Sequence, residues 1–280
     1  MRILTLTLAY DGTRFVGWQR QADGESIQGL VEEALARFEG APVTVHGAGR
    51  TDAGVHALGQ VASAGVTFTH PTGTILRALN AQLPEDIRIL DVAEAAPDFH
   101  ARFSARSKTY RYHIRAGGGG DPFTRAFVWQ LAEPLNVAAM RDAAAVLAGT
   151  HDFAAFQSAG TEVARTVRTI FRSEIRRLEL RGPVGSVPRL FGESGVDVVG
   201  SPQPRSSEGG PDPRQELVYE VTADGFLRHM VRAIVGTLVE IGRGWRPVES
   251  IAPLIGHGTR AQAGATAPPH GLFLVSVDYD

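Results

Sequence analysis

Strand-like and helix-like segments follow one another in both halves of this chain of 280 residues, so each half is predicted to be an α+β unit. In the first segment Leu4, Leu6, Leu8 and Tyr10 occupy every second position, as on one face of a β-strand. In the second, Ser26 stands at the N-cap position of a helix whose apolar face runs over residues 27–38. We expect two similar α+β halves, joined through a mainly antiparallel sheet with helices on one side.

The same patterns predict the other elements. Further strands are expected at 43–45, 60–68, 87–92, 110–115, 166–180, 217–223 and 272–277, and further helices at 72–83, 137–147 and 227–241. The predicted domains are residues 1–103 and 104–280. Within the second domain, half of the 36 residues from 181 to 216 are Gly, Pro or Ser, which predicts a flexible insertion between two strands of a hairpin.

Composition excludes several classes of protein. The sequence has no cysteine, so disulfides and thiolate metal sites are excluded. No apolar run approaches the roughly 20 residues of a transmembrane helix, and the first residues have the pattern of a strand instead of a signal peptide. We therefore expect a cytoplasmic protein that does not associate with a membrane.

The cations are clustered, although the net charge is only −2. Residues 99–115 contain five cations and no carboxylate, and Lys108 among them is the only lysine of the chain. A second cluster comprises Arg165, Arg168, Arg172, Arg176 and Arg177. Guanidinium groups bind phosphates in a fork geometry, so such clusters are typical of nucleic-acid binding.

One carboxylate lies in an unusual setting. Asp52 follows Arg50 closely in the run HGAGRTDAGVH over residues 46–56, which is rich in glycine. Glycine lets a backbone turn tightly and approach a ligand, so this run predicts a loop that faces a cleft. The alternative is an ordinary turn-forming or helix-capping aspartate.

The run over residues 49–56 (GRTDAGVH) resembles the signature loop of the tRNA pseudouridine synthase A family. Seven other segments resemble that family in the same order, across nearly the whole chain. They are residues 10–13 (YDGT), 15–21 (FVGWQRQ), 80–84 (NAQLP), 99–105 (FHARFSA), 110–112 (YRY), 225–232 (GFLRHMVR) and 271–279 (GLFLVSVDY).

The resemblance implies a central RNA-binding cleft and an isomerase that converts uridine to pseudouridine at positions 38 to 40 of tRNA. The expected partners are tRNA and a second copy of the chain, as a homodimer. The reaction breaks one glycosidic bond and forms another without redox change, so no small-molecule cofactor and no metal are expected. It needs a carboxylate that acts as a nucleophile, on a base flipped out of its helix.

The resemblance also assigns roles to single residues. Asp52 is the nucleophile, Arg232 the arginine that pairs with it, and Tyr110 the aromatic ring against the target base. Leu272 is expected to pack on the other side of the base. Arg50 and Arg228 are candidates for holding the loop or a phosphate.

The residue pattern alone leaves alternatives open. Arg228 and Arg232 are four apart and share a face of the predicted helix, where both could extend from a core helix to solvent. Tyr110 and Tyr112 point the same way on a regular strand, so alternation does not separate a base-stacking ring from a core ring. Leu272 could equally be a core leucine.

Other functions compete with this interpretation. His46, Asp52, His56 and His100 could form a metal hydrolase site, although their spacing matches no helix-borne ligand pair. An aspartic protease would need a second loop of the same kind, and none is visible. The strongest competitor is an RNA-binding protein that keeps this fold without catalysing a reaction.

Overall fold

The computed structural model describes residues 1–158, 165–178 and 214–279. The insertion expected at 181–216 falls almost entirely outside these residues. Its predicted end is wrong, because Gln215 and Glu216 belong to a strand and pair with Ala116 and Arg115.

The elements follow the order expected from the sequence. The strands are β1 (Arg2–Tyr10), β2 (Val45–Gly47), β3 (His56–Val66), β4 (Ile87–Ala95), β5 (Ser107–Ala116), β6 (Trp129–Leu131), β7 (Gly149–Asp152), β8 (Val167–Leu178), β9 (Gln215–Ala223) and β10 (Leu272–Asp278). The α-helices are α1 (Ile27–Glu39), α2 (Thr72–Gln82), α3 (Val137–Val146) and α4 (Met230–Gly242). Short 3-10 segments lie at Ala154–Phe156, Val248–Ile255 and Pro269–Gly271.

The ten strands of the described residues join one sheet in the order β4-β1-β3-β10-β5-β9-β8-β7, with β2 beside β3 and β6 beside β5. Among these strands, only the β10–β3 and β5–β6 pairs are parallel, so the expected α+β class with a mainly antiparallel sheet is confirmed. β10 lies between β3 and β5 and thereby links the two predicted domains. The domain boundary itself, the likeness of the two halves and the side on which the helices lie stay predictions.

Local sequence explains the first elements well. Leu4, Leu6, Leu8 and Tyr10 of β1 are buried, and the residues between them are partly exposed. Ser26 caps α1 as predicted, since its hydroxyl accepts a hydrogen bond from the Gly29 amide at 3.2 Å. Strands β6 and β7 were missed because segments of three and four residues are too short to reveal a period.

The helix predicted over 227–241 differs in two respects. It begins at Met230, because His229 has a left-handed backbone (φ 63°) that a regular helix does not continue through. It is also buried on almost every side, with only Arg232 and Glu240 partly exposed within α4. The helix is therefore part of the core, and Arg228, which precedes it, does not share a helix face with Arg232.

The core is continuous along the sheet and includes the apolar side chains of α1, α2, α3 and α4. Among the residues that the structure describes, no helix is long and apolar enough to span a bilayer.

Candidate active site

The segment from Ala48 to Val55, called the Asp52 loop below, is held by close backbone packing. The Trp18 amide donates to the Thr51 carbonyl at 3.0 Å. A Cβ placed on Gly12 would lie 2.0 Å from the Val55 carbonyl oxygen, and one on Gly17 would lie 2.7 Å from the Thr51 carbonyl oxygen. Approaches this close are possible only for glycine, so the YDGT and FVGW segments fix the position of the loop.

Side chains behind the loop add further hydrogen bonds. The Tyr10 and Thr51 hydroxyl oxygens are 2.8 Å apart, and the Gln60 amide donates to the Gly49 carbonyl at 2.8 Å. Tyr10, Thr51 and Gln60 are all buried. The Asp52 loop is thus supported from β1 and β3, which gives its carboxylate a defined direction.

Asp52 is paired with Arg232, as the resemblance implied. Nη1 of Arg232 donates to Oδ2 of Asp52 at 3.1 Å, and Nε of the same guanidinium donates to the Ala267 carbonyl at 2.8 Å. The Ala267 amide in turn donates to the Arg232 carbonyl at 3.0 Å. The side chains of Asp52 and Arg232 are 27% and 14% exposed, so the pair is partly buried yet open to a ligand. A guanidinium fixed in this way gives the carboxylate a charge-assisted hydrogen bond of defined direction.

His229 is a neighbour of Asp52 that sequence reasoning missed. Its Nε2 atom lies 3.4 Å from Oδ2 of Asp52. Partial burial lowers the pKa of His229 most, Asp52 raises it, and the cations of Arg232, Arg228 and Arg260 lower it further. The net direction is downward from 6.5, so the imidazole is neutral at pH 7. Its position directly before a core helix, in a left-handed conformation, could not be anticipated from the helical pattern.

The structure separates the two tyrosines of β5. Tyr110 lines the cleft that contains Asp52 and meets the ring of Phe226 edge to face, at 5.0 Å between centroids. Tyr112 is fully buried, and its hydroxyl donates to the Pro268 carbonyl at 2.8 Å. Burial raises the pKa of Tyr110 most, and Tyr10 and Asp52 raise it further, so its hydroxyl stays protonated at neutral pH.

The other three predicted residues also lie at the cleft. Leu272 is the first residue of β10, is 5% exposed and lines the cleft wall. Arg50 and Arg228 line it too, and both are exposed. All six sequence-predicted site residues are therefore brought together in one cleft.

The cleft has a volume of about 1630 Å³, large enough for far more than one nucleotide. Its described lining contains seven arginine or lysine residues and two aspartates. The cations are Arg50, Arg102, Lys108, Arg165, Arg168, Arg228 and Arg232, and the acids are Asp52 and Asp224. A positive surface around one paired carboxylate suits an anionic polymer.

Some cations of the two basic clusters line the cleft, and others form ion pairs with acidic residues of the protein. Arg111 pairs with Glu220, and Arg115 with Glu216 and Asp121. Arg172 and Arg176 also pair with Glu220. Glu216 and Glu220 of β9 thus provide carboxylate partners that lie far from these arginines in sequence, and phosphate binding by the whole clusters stays a prediction.

The histidines considered as metal ligands make different contacts. His56 is 1% exposed, and it accepts from the Gly12 amide at 3.1 Å through Nδ1, with Nε2 3.0 Å from the Ala126 carbonyl oxygen. His46 and His100 stack on each other. Within residues 1–158, 165–178 and 214–279, no three His, Cys, Asp or Glu side chains are grouped as metal ligands.

Comparisons with known proteins agree with the resemblance found in the sequence. The profile of the tRNA pseudouridine synthase family matches residues 7–104 and 143–280. The protein named tRNA pseudouridine synthase A in Solidesulfovibrio magneticus is 44% identical over 285 residues, covering 100% of this chain and 92% of the relative. Proteins with the same name in Syntrophotalea carbinolica and Myxococcus xanthus are 41% and 42% identical, covering 97% and 91% of those chains. Since the profile matches most of the chain and these relatives match it almost end to end, the chain belongs to the tRNA pseudouridine synthase A family.

Proposed function

We propose that this protein converts uridine to pseudouridine at positions 38 to 40 in the anticodon stem-loop of tRNA, with Asp52 as the nucleophile. The observation that carries the proposal is the Asp52 carboxylate, held by Arg232 at 3.1 Å inside a cleft in which cations outnumber acids by seven to two. Membership of the family supports the reaction and tRNA as its substrate.

The reaction is an isomerisation that balances without a second substrate. The bond between ribose C1′ and uracil N1 breaks, the uracil turns, and a bond forms between C1′ and C5. The proton on C5 is lost, and N1 gains one. A carboxylate suits this sequence because it can attack carbon as a nucleophile, at ribose C1′ or at uracil C6, and can later accept a proton.

The residues around Asp52 fit supporting roles in this reaction. Arg232 would orient the carboxylate through its hydrogen bond to Oδ2. The target uridine must leave its stem to reach Asp52, and Tyr110 and Leu272 would cover the two faces of the flipped base. The protonated Tyr110 hydroxyl favours a stacking role over that of a general base. Arg50 and Arg228 are exposed at the cleft, where they would contact phosphates.

Two further features belong to the same proposal. A homodimer would let one protomer position the RNA while the other reacts with it, and the protein would act in the cytoplasm, where tRNA is processed. Recognition would depend on the shape and the backbone of the RNA, because an A-form stem hides most of its base edges.

The position of the modification can be mapped directly. Unmodified tRNA is incubated with the enzyme, and pseudouridines are located by carbodiimide modification and primer extension. The substrates are one transcript with uridines at 38, 39 and 40 and three transcripts with cytidine at one of these positions. Loss of the corresponding stop in each cytidine transcript supports the proposed site. Modification elsewhere, with these positions untouched, refutes it.

A further inference from the structure

Three aromatic rings pack against one another, each tilted relative to the next, on the wall of the cleft, and the proposed reaction does not use them. The ring centroids of His46 and His100 are 4.7 Å apart with 30° between the planes. Those of His100 and Phe103 are 4.4 Å apart with 36° between the planes. All three residues line the same cleft as Asp52. These three side chains are called the ring platform below.

The outer ring of the platform is unusually open. Phe103 is 76% exposed, whereas most large apolar side chains of the protein are buried. Single exposed apolar residues are common on protein surfaces, so exposure alone indicates nothing. Phe123 has the same exposure but does not line the cleft. What distinguishes Phe103 is its place at the end of a ring stack beside the candidate active site.

The backbone under the platform is firmly held. The Ala101 amide donates to the Ser63 hydroxyl at 3.1 Å, and the Tyr279 hydroxyl donates to the Ala101 carbonyl at 2.8 Å. The Ser104 amide donates to the His100 carbonyl at 2.9 Å. The turn that carries His100 and Phe103 is thus tied to β3 and to the end of the chain. A ring held in this way loses little conformational entropy when a ligand stacks on it.

His100 is suited to the middle of the stack. Its Nδ1 accepts a hydrogen bond from the Arg102 amide at 3.1 Å. Burial lowers the pKa of His100 most, and the charges of His46 and Arg102 lower it further. The imidazole is therefore a neutral, flat ring at pH 7, and it links β2, which leads into the Asp52 loop, to the turn that carries Phe103.

One cation, Arg102, lies against the outer ring of the platform, and Lys108 lines the same cleft. The Arg102 guanidinium lies 5.5 Å from the centroid of the Phe103 ring. Burial lowers the pKa of Lys108 most, Arg102 and Arg168 lower it further, and Asp224 opposes them. Like charges have thus been gathered near one another, at a free-energy cost that an anionic ligand would relieve. Flat rings beside cations suit an unpaired nucleotide, which offers a stacking face and a phosphate.

We propose that the ring platform of His46, His100 and Phe103 stacks against an unpaired base of the RNA substrate, while Arg102 and Lys108 bind the phosphates beside it. The inference rests on the proposed function, because it takes the RNA to be the substrate in this cleft. It adds a second base-binding position, separate from the Tyr110 and Leu272 position for the reacting uracil. Its consequence is a preference for RNA with unpaired bases over fully paired RNA.

The test compares two RNAs that carry the same number of phosphates, a hairpin with an unpaired loop and a blunt duplex. Equilibrium binding is measured for the wild type, Phe103→Leu, Phe103→Trp and the matched control Phe123→Leu. Leucine keeps an apolar side chain but removes the ring. Phe103→Leu should bind the hairpin about ten-fold more weakly and leave duplex binding unchanged, because duplex bases are already stacked. Phe103→Trp and Phe123→Leu should bind both RNAs like the wild type.

Stacking can also be observed directly. The indole of Phe103→Trp should be quenched by the hairpin to a greater extent than the tryptophans of the wild type, and the duplex should not add this quenching. Unchanged hairpin binding by Phe103→Leu, or equal weakening for both RNAs, would overturn the proposal. If Phe103→Leu binds the hairpin like the wild type, the exposed Phe103 ring does not contact RNA and would instead be available to a protein partner.

Failure of this inference can be told apart from failure of the proposed function. If the wild type modifies tRNA but Phe103→Leu binds the hairpin normally, only the platform is wrong. If hairpin binding depends on the ring but the wild type does not modify tRNA, the reaction is wrong and the platform stands.

Discussion

Arg232 places Nη1 3.1 Å from Oδ2 of Asp52, although the two residues are 180 positions apart in the chain. The same guanidinium is fixed from behind by the Ala267 carbonyl. One side chain therefore joins the Asp52 loop, helix α4 and the segment before β10, and the geometry of the proposed nucleophile depends on all three.

Replacing Arg232 by lysine tests whether the positive charge beside Asp52 is enough, or whether the hydrogen-bond geometry of the guanidinium is also needed. The ammonium keeps the positive charge but cannot bind Asp52 and the Ala267 carbonyl as a planar fork does. We expect kcat for pseudouridine formation to fall on the order of 100-fold, with KM for tRNA changed only a few-fold. The control is Arg243→Lys, whose arginine stacks on Trp245 away from Asp52. Equal kcat values for wild type and Arg232→Lys would contradict the role given to this pair.

The position of the Asp52 loop depends on Gly12. A methyl group there would lie 2.0 Å from the Val55 carbonyl oxygen, so the loop must shift in Gly12→Ala. We expect the free energy of unfolding to fall by about 1–3 kcal/mol and kcat to fall as well. Gly256→Ala is the control, because nothing lies within 4 Å of a Cβ at that position. Chemical denaturation and steady-state kinetics measure both effects, and a fully active Gly12→Ala would contradict this account of the loop.

Two arginines of the second basic cluster should contribute differently to the salt dependence of tRNA binding. Arg168 lines the cleft, whereas Arg176 pairs with Glu220. For Arg168→Gln, the slope of log K for tRNA binding against log salt should fall in magnitude by about one. For Arg176→Gln it should stay unchanged. The reverse result would place the RNA on the other face of β8.

The pKa of His229 should respond to its two charged neighbours in opposite directions. Asp52 raises this pKa and Arg232 lowers it, within an environment that lowers it overall. Its value should therefore fall in Asp52→Asn and rise in Arg232→Gln, relative to the wild type. NMR titration of the imidazole, assigned by its absence in His229→Asn, measures all three. Identical midpoints would show that His229 does not sense the Asp52–Arg232 pair.

Much of the fold followed from local pattern. The alternation in β1 and the Ser26 cap of α1 depend on neighbours in the sequence, so both were predicted correctly. The start of α4 was not, because apolar spacing continues through Leu227 and does not reveal the left-handed turn at His229. The parallel pairing of β10 with β3 joins distant segments, and no local pattern indicates it.

The candidate site residues were named through the family resemblance, and chain topology explains which of their neighbours were missed. Asp52 and Arg232 were paired by resemblance, not by spacing. Arg111 seemed free for phosphate because no acid stands near it in sequence, yet Glu220 lies directly across from it on β9. Cross-strand neighbours of this kind become visible only when the sheet order is known.

The most direct test of the central claim is tritium release from tRNA labelled at C5 of uracil, for the wild type, Asp52→Ala and Asp52→Asn. Forming pseudouridine removes the C5 hydrogen, so the wild type should release tritium. Neither variant should do so, although both should bind tRNA within several-fold of the wild type. Release by either variant would contradict the assignment of Asp52 as the nucleophile. Binding without release by the wild type would contradict the isomerase itself and favour a non-catalytic RNA-binding protein.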